Sequence, residues 1–447
     1  MCALLYRPEQ FGAVVAKGDG EDVLLLDHDG ANAFLQLAGL SNGDETAFQQ
    51  TTVDGASYDA LKTIVSTEGN FHLFKSNKGR LKSFPTLSYP LDLYWEVTRR
   101  CNERCVHCYN NSDNTGPHPT SEQISTTLKE LENVQLRSLT ITGGEPMMRK
   151  DFWTIAEQCR PISYKLVLGT NGTLINEGNA DKIAELFDFV NVSLDTNTAE
   201  EFDLFRGYPG AFVKTTSAIR LLSERGVQVV VQSVLTRRTI DAVKELGYLV
   251  AELGGHTWTV RFPFYSGRAM NSQEQFLSHR EVQKYVPLFD EVRSELSSRI
   301  PSVRIGAGYT WSYEKPYEYT DNPNQLMLCA AATVNAALSA DGSLAPCSLF
   351  TETAFRSESV WKTSLQHEWQ NADCFVAMRN IKLRDIGGCG TCSNALGQCG
   401  SGCRAKAYMK YGTIYKSDYD CGYSSADGSS EYPIRFRAKN VGAKTIG

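Results

Sequence analysis

Between Leu91 and about Met270 the chain alternates strand-like and helix-like segments six times, and this rhythm limits the fold more than any other feature. The strand candidates are LDLYWEVT (91–98), SLTIT (138–142), KLVLGT (165–170), FVNVSL (189–194), VQVVVQSVL (227–235) and TWTVRF (257–262). Amphipathic stretches separate them. Around 121–131, Ile124, Leu128 and Leu131 share one face, with Thr120 and Gln123 placed as a capping box. Stretch 211–225 turns Phe212, Ile219 and Leu222 inward, and 239–253 does so with Ile240, Val243, Leu246 and Val250. Strands divided by helices demand right-handed crossovers and a parallel sheet of the α/β class. In such sheets the working residues stand at the carboxyl ends of the strands.

The flanks differ. Residues 1–88 read as a separate α+β unit: FGAVVA (11–16) and VLLLD (23–27) form a hairpin around KGDGED, followed by a short helix in ANAFLQLAGL. A second helix starts near Asp54, with Tyr58, Leu61, Ile64 and Val65 at helical spacing. Strand, strand, helix, helix outlines a winged-helix-like module, yet it holds 7 Lys and Arg against 11 Asp and Glu, a poor balance for binding DNA. Past 270 the pattern loosens into a helical piece at 279–299 and an aromatic-rich bridging region within 301–328. From Cys329 to the end the chain is rich in Gly and Cys, and metal ligation is expected to hold it more than a large core. The overall formal charge of −6 argues against nucleic acid as a partner. No apolar run reaches the ~18–20 residues that span a bilayer. The start, MCALLYRPEQ, lacks the pattern of a signal peptide, so the expected location is cytoplasmic, with no membrane partner.

Thirteen cysteines is an odd count, and in a reducing compartment clustered thiols hold metal or do redox work. Cys101, Cys105 and Cys108 lie in CNERCVHC, directly after the first barrel strand. Three thiolates at CxxxCxxC spacing can bind three irons of a cubane and leave its fourth corner vacant. Zinc is the other reading, and it needs a fourth ligand such as His107. Eight more cysteines lie between Cys329 and Cys421. Of the remaining two, Cys159 fits a buried small hydrophobe.

CNERCVHC resembles the signature of the radical S-adenosylmethionine (SAM) enzymes. The resemblance implies a partial (β/α)6 TIM-like barrel in which the fourth iron chelates the amino and carboxylate groups of SAM. Other segments fall at strand ends in family order. In GGEP, Gly143, Gly144, Glu145 and Pro146 look like the segment receiving the methionine amino group, with Glu145 as an acceptor. Asn171 lies in TNGTLI, and Ser193 with Asp195 in VSLDT. Arg206 resembles the position that binds a carboxylate, and SGRA (266–269) is a recurring family ending. The implied chemistry is reduction of bound SAM to a 5′-deoxyadenosyl radical that takes a hydrogen atom, with an electron donor such as flavodoxin or ferredoxin.

The C-terminal cysteines resemble a SPASM domain (329–447). By position, Cys389, Cys392, Cys399 and Cys421 hold an outer auxiliary cluster and Cys329, Cys347 and Cys403 an inner one. This makes three [4Fe–4S] clusters in all. Pro323 stands where some members have a further inner cysteine, so the inner cluster has an open iron or borrows Cys374. The gap SNALGQ is one residue longer than usual, and a zinc ribbon is the competing reading. The front segment resembles the recognition element of ribosomally made, modified peptides, in which a leader peptide adds a strand to a small sheet. Together these imply a peptide maturase that cross-links a ribosomal precursor, with the leader on residues 1–88 and the barrel at 89–300. Epimerisation, formylglycine-type oxidation and a non-catalytic zinc protein are the alternatives.

Overall fold

The computed structural model describes residues 2–17, 22–27, 31, 34–35, 49–53, 71–75, 86–132, 134, 136–306, 329–392, 401–419 and 421. A front sheet comprises β1 (Cys2–Glu9), β2 (Gly12–Lys17), β3 (Asp22–Asp27), β4 (Gln49–Val53) and β5 (Phe71–Lys75), ordered β4-β1-β2-β3-β5 and antiparallel throughout. The expected hairpin is β2–β3. Strands β1, β4 and β5 were not expected. CALLYRPE has no apolar–polar alternation, so it carries no period-2 signal. Ala31, Phe34 and Leu35 are buried in the expected first helix, and the expected second helix lies outside the described residues.

The second sheet holds nine strands: β6 (Asp92–Thr98), β7 (Leu136–Gly143), β8 (Ser163–Thr170), β9 (Phe189–Ser193), β10 (Gln228–Val234), β11 (Thr257–Arg261), β12 (Ser302–Ile305), β13 (Asn335–Leu338) and β14 (Leu344–Ala345). Their order is β12-β11-β10-β9-β8-β7-β6-β13-β14. Strands β6 to β12 run parallel in sequence order, the open barrel that the alternation demands. Helix Ser121–Glu132 starts with the expected reciprocal cap, Gln123 N donating to Thr120 Oγ1 at 3.2 Å and Thr120 N to Gln123 Oε1 at 2.9 Å. Phe212, in Ala211–Glu224, is half-buried rather than buried, edge-on to Phe202.

Two edges differ from expectation. The bridging region contributes β12, and the Cys-rich region contributes β13, which pairs in parallel with β6 through Ala337↔Tyr94. Both strands have four residues, too short for periodicity to register. The Cys-rich region also has an apolar core of its own: Leu338, Phe350, Trp369, Phe375 and Met378 are all buried. Trp369 Nε1 donates to Leu87 O at 2.7 Å, and Leu87 shares one core with Val14 and Leu25 of the front sheet. A buried ion pair tightens this junction. Arg7 Nε donates to Glu9 Oε1 at 2.8 Å and Arg7 Nη2 to Tyr89 O at 2.9 Å, while Glu9 Oε2 accepts from Ser88 N at 2.8 Å.

Within the barrel the alternation has a consequence for the site. Leu93, Trp95, Val190, Val192, Val229 and Val231 are buried in the core shared with the helices. The intervening positions include Tyr94, Thr140, Asn191, Ser193 and Gln232, where closed barrels usually stack branched apolar side chains. A polar inner face keeps water or a ligand in the middle. Among the described residues no helix is long and apolar enough to cross a membrane.

Candidate active site

Cys101, Cys105 and Cys108 all border one cavity of about 310 Å³, which also touches Gly143, Gly144, Asn171, Ser193, Asp195 and Arg206. The loop carrying the thiols is held from several sides. Gly144 N donates to Thr98 O at 2.8 Å, Glu145 N to Arg100 O at 2.9 Å, and Arg104 N to Arg206 O at 2.9 Å. From beyond the sixth strand, Ser266 Oγ donates to Tyr109 O at 2.9 Å. Arg268 spends its guanidinium on the carbonyls of Cys105 (2.9 Å) and Ser112 (2.6 Å). SGRA is thus a clamp on the cysteine loop.

The glycines of GGEP are required by the packing of the chain. Gly143 has φ +146°, and a methyl group there would overlap the Thr98 carbonyl, while one on Gly144 would overlap that of Arg100. Their smallness serves the approach of two chain segments, and their backbone then borders the cavity.

Glu145 departs from expectation. Neither it nor Pro146 borders the cavity; Pro146 is buried at the start of a short turn, Pro146–Met148. The fully buried Glu145 carboxylate accepts from Asn171 N at 2.8 Å, Met147 N at 3.1 Å and Thr170 Oγ1. It ties the loop after β7 to the loop after β8, and burial pushes its carboxyl up to about 7 against those donors. Glu145→Ala strands three donors, two of them main-chain, and costs about 2–5 kcal/mol. Chemical denaturation checks this: unchanged stability with loss of SAM affinity alone would return Glu145 to the role of cofactor acceptor.

Arg206 is likewise engaged. Its Nη2 meets Asp195 Oδ2 at 2.5 Å, and its Nη1 lies 3.4 Å from Glu103 Oε2 and 3.7 Å from Cys105 Sγ. Two carboxylates already hold the guanidinium expected to bind a cofactor carboxylate. Asn171 Nδ2 donates to Asn102 Oδ1 at 2.9 Å and lies 3.9 Å from Cys101 Sγ, and Ser193 borders the cavity from the end of β9.

Burial raises the thiols, Cys101 to about 12, with Cys105 and Cys108 also raised. Bare thiolates are costly here; ligation by metal is what would deprotonate them. Glu103 Oε1, His107 Nδ1 and Arg206 Nε are buried without a partner among the described residues, and all three residues border the same cavity. Such unsatisfied atoms mark a site that a polar guest completes. His107 lies flat on Phe205, ring centroids 4.4 Å apart, which makes it a wall of the cavity. Among the described residues no three His, Cys, Asp or Glu side chains converge as ligands of a single ion. A cubane takes its thiolates at separate corners, which three thiols on one loop can supply.

Of the C-terminal cysteines, Cys347 lies within electrostatic reach of Cys329 and Cys403. Burial raises all three, and Cys347 feels both of the others. Cys374 does not join them: it is buried on helix Asp373–Asn380, and its charged neighbours are Glu368 and Arg379. Cys392 N donates to Cys389 O at 3.1 Å and Cys421 N to Asp418 O at 3.1 Å; Asp418 also accepts from Cys403 N at 2.8 Å. Cys399, Pro323 and the aromatics of 308–319 lie outside the described residues. Ser348 and Leu349, next to Cys347, border the barrel cavity.

Several lining residues were not singled out from sequence. Asn110 Nδ2 donates to Gly143 O at 3.2 Å and Glu96 Oε1 at 3.3 Å, cross-linking the cysteine loop to β6 and β7. Tyr94, Asn191, Gln232 and Arg261 point inward. Their signal was available, since each alternates with apolar residues on an expected strand.

The architecture is an open parallel barrel with a clamped three-thiol loop over a polar cavity at the strand ends. Residues 95–258 match the radical SAM superfamily, so the chain carries a radical SAM domain. It is 27% identical over 341 residues to the AdoMet-dependent heme synthase of Oleidesulfovibrio alaskensis, covering 74% of this chain and 86% of that one. It is 28% identical over 340 residues to the mycofactocin maturase MftC of Mycobacterium tuberculosis, covering 75% and 83%. Its fold is similar to Streptococcus suis SuiB bound to the precursor peptide SuiA, with TM-score 0.68 and 16% identity, covering 94% of this chain and 98% of that one.

Proposed function

We propose that this protein is a maturase that installs an intramolecular cross-link, carbon–carbon or thioether, in a ribosomally synthesised precursor peptide. The observation carrying this reading is the cavity's two borders: the Cys101, Cys105 and Cys108 thiols on one side, and Ser348–Leu349, directly after Cys347, on the other. Cys101, Cys105 and Cys108 would hold the SAM-binding cluster. Cys329, Cys347 and Cys403 would hold an inner auxiliary cluster, and Cys389, Cys392, Cys399 and Cys421 an outer one. When bound, these groups would supply an adenosyl radical, which takes one electron away with the abstracted hydrogen atom, and a sink for the single remaining electron as the ring closes and a proton is lost.

The chain's own residues do the positioning. Arg268, Ser266 and the Gly143–Gly144 backbone fix the thiol loop, and the polar inner face receives the peptide. Residues 1–88 serve as the leader-binding unit, where an extended peptide adds a strand to the front sheet through main-chain hydrogen bonds. Mycofactocin maturase and SuiB with its precursor peptide support the substrate class. The test is anaerobic reaction of the reconstituted enzyme with the peptide encoded by a neighbouring short reading frame, read by mass spectrometry. A cross-link removes two hydrogens. An unchanged mass with an inverted residue identifies an epimerase instead, and a zinc-loaded, iron-free protein removes the radical reading.

A further inference from the structure

Three arginines border the barrel cavity, and two are committed. Arg206 is held by Asp195 and Glu103, and Arg268 by the loop carbonyls of Cys105 and Ser112. The third, Arg261, is the last residue of β11, in register with Val234 of β10. Its main-chain carbonyl accepts from Leu235 N at 2.9 Å, but its guanidinium has no hydrogen bond or ion pair among the described residues. The two acids bordering the cavity are both spent on Arg206, and Arg268 uses its donors on carbonyls, so Arg261 combines an unneutralised charge with donors to spare. The same cavity is lined by Tyr94, whose phenol feels this charge, by Phe262–Phe264, and by the neutral amides of Asn191 and Gln232.

We infer that Arg261 is a specificity-determining residue that binds a carboxylate of the substrate peptide, an aspartyl or glutamyl side chain or the C-terminus, and so places the neighbouring carbon in the cavity. This rests on the reading of the protein as a peptide-modifying enzyme. A guanidinium is a planar fork matched to a carboxylate, and a charge-assisted bond between them is about twice as strong as one between neutral groups. Asn191, Gln232 and Tyr94 supply neutral donors and acceptors without competing for the charge. Arg261 is exposed at the end of β11, so its guanidinium is open to a guest that brings the opposite charge.

The experiment measures binding to the reconstituted, SAM-loaded holoenzyme by calorimetry. The probes are N-acetyl-glycyl-aspartyl-glycinamide, its asparaginyl counterpart, the asparaginyl peptide with a free C-terminal carboxylate, and glutarate. The wild type is expected to prefer a carboxylate peptide over the neutral one by about tenfold to a hundredfold. Whether the aspartyl or the free-terminus probe shows the preference identifies the source. In Arg261→Gln the ratio collapses to near unity, and Arg261→Lys restores part of it. Using a ratio, with the neutral peptide as reference, separates recognition from a general loss of folding. Equal binding of charged and neutral peptides by the wild type overturns the proposal, as does a preference that persists in Arg261→Gln. So does an Arg261→Gln protein that loses SAM affinity and keeps the peptide ratio. Should glutarate bind in an Arg261-dependent way while no peptide binds, the carboxylate assignment stands and the peptide reading falls.

Discussion

Replacing Cys101, Cys105 or Cys108 by alanine is expected to bring reductive cleavage of SAM to background, while leader-peptide binding to residues 1–88 persists. Each thiol borders the same cavity, and each sits on a loop held by main-chain bonds to Thr98, Arg100 and Arg206 and by the Arg268 clamp. A cubane with two protein ligands loses the geometry that leaves one corner for a cofactor. The effect should be all-or-none rather than graded, unlike the loss of a positioning residue. Iron analysis should show the loss of one cluster's share, with the C-terminal share retained. The measurements are 5′-deoxyadenosine formed under dithionite and fluorescence-detected binding of the leader. SAM cleavage that survives in any of the three variants contradicts the assignment of the first cluster.

Arg206→Met is expected to destabilise the protein by about 3–5 kcal/mol, since it strands two buried carboxylates. Arg206 is 5% exposed, Asp195 0% and Glu103 2%, so solvent does little to soften the loss. Burial works against the guanidinium's charge, but Asp195, Cys105 and Glu103 together more than offset it. The group therefore serves the fold before it serves any guest. Its main-chain carbonyl also accepts from Arg104 N, so disturbing this helix end pulls on the cysteine loop. Denaturation of the apo-protein measures the loss. The triple variant Arg206→Met, Asp195→Asn, Glu103→Gln should recover most of it, because no charge is then left unpaired. A single variant with wild-type stability would mean that the carboxylates find other partners, and Arg206 would again be open as a cofactor ligand.

Period-2 runs separated by period-3.6 runs admit few topologies, and for that reason the barrel was legible from local pattern alone: β6 to β11 lie within two residues of the expected strands. CNERCVHC was legible because ligand chemistry demands spacing within a short stretch. The order of GGEP, TNGTLI, VSLDT and SGRA added that these segments meet at one end of the sheet. Folding decided which side chain does what there. Glu145 and Arg206 carry the residue types expected of cofactor contacts, yet Glu145 satisfies buried main-chain donors and Arg206 pairs with buried acids. Those needs exist only once the loops are packed, so no spacing rule reports them. The same holds for β13, four residues from the Cys-rich region that dock beside β6 across more than two hundred residues of chain. Arg261 and Tyr94 are the intermediate case: alternation placed them on one face, but only closure of the sheet made that face the inside of a cavity. Local periodicity is written in neighbours along the chain, whereas the partner of a buried charge is chosen by residues that meet only in three dimensions.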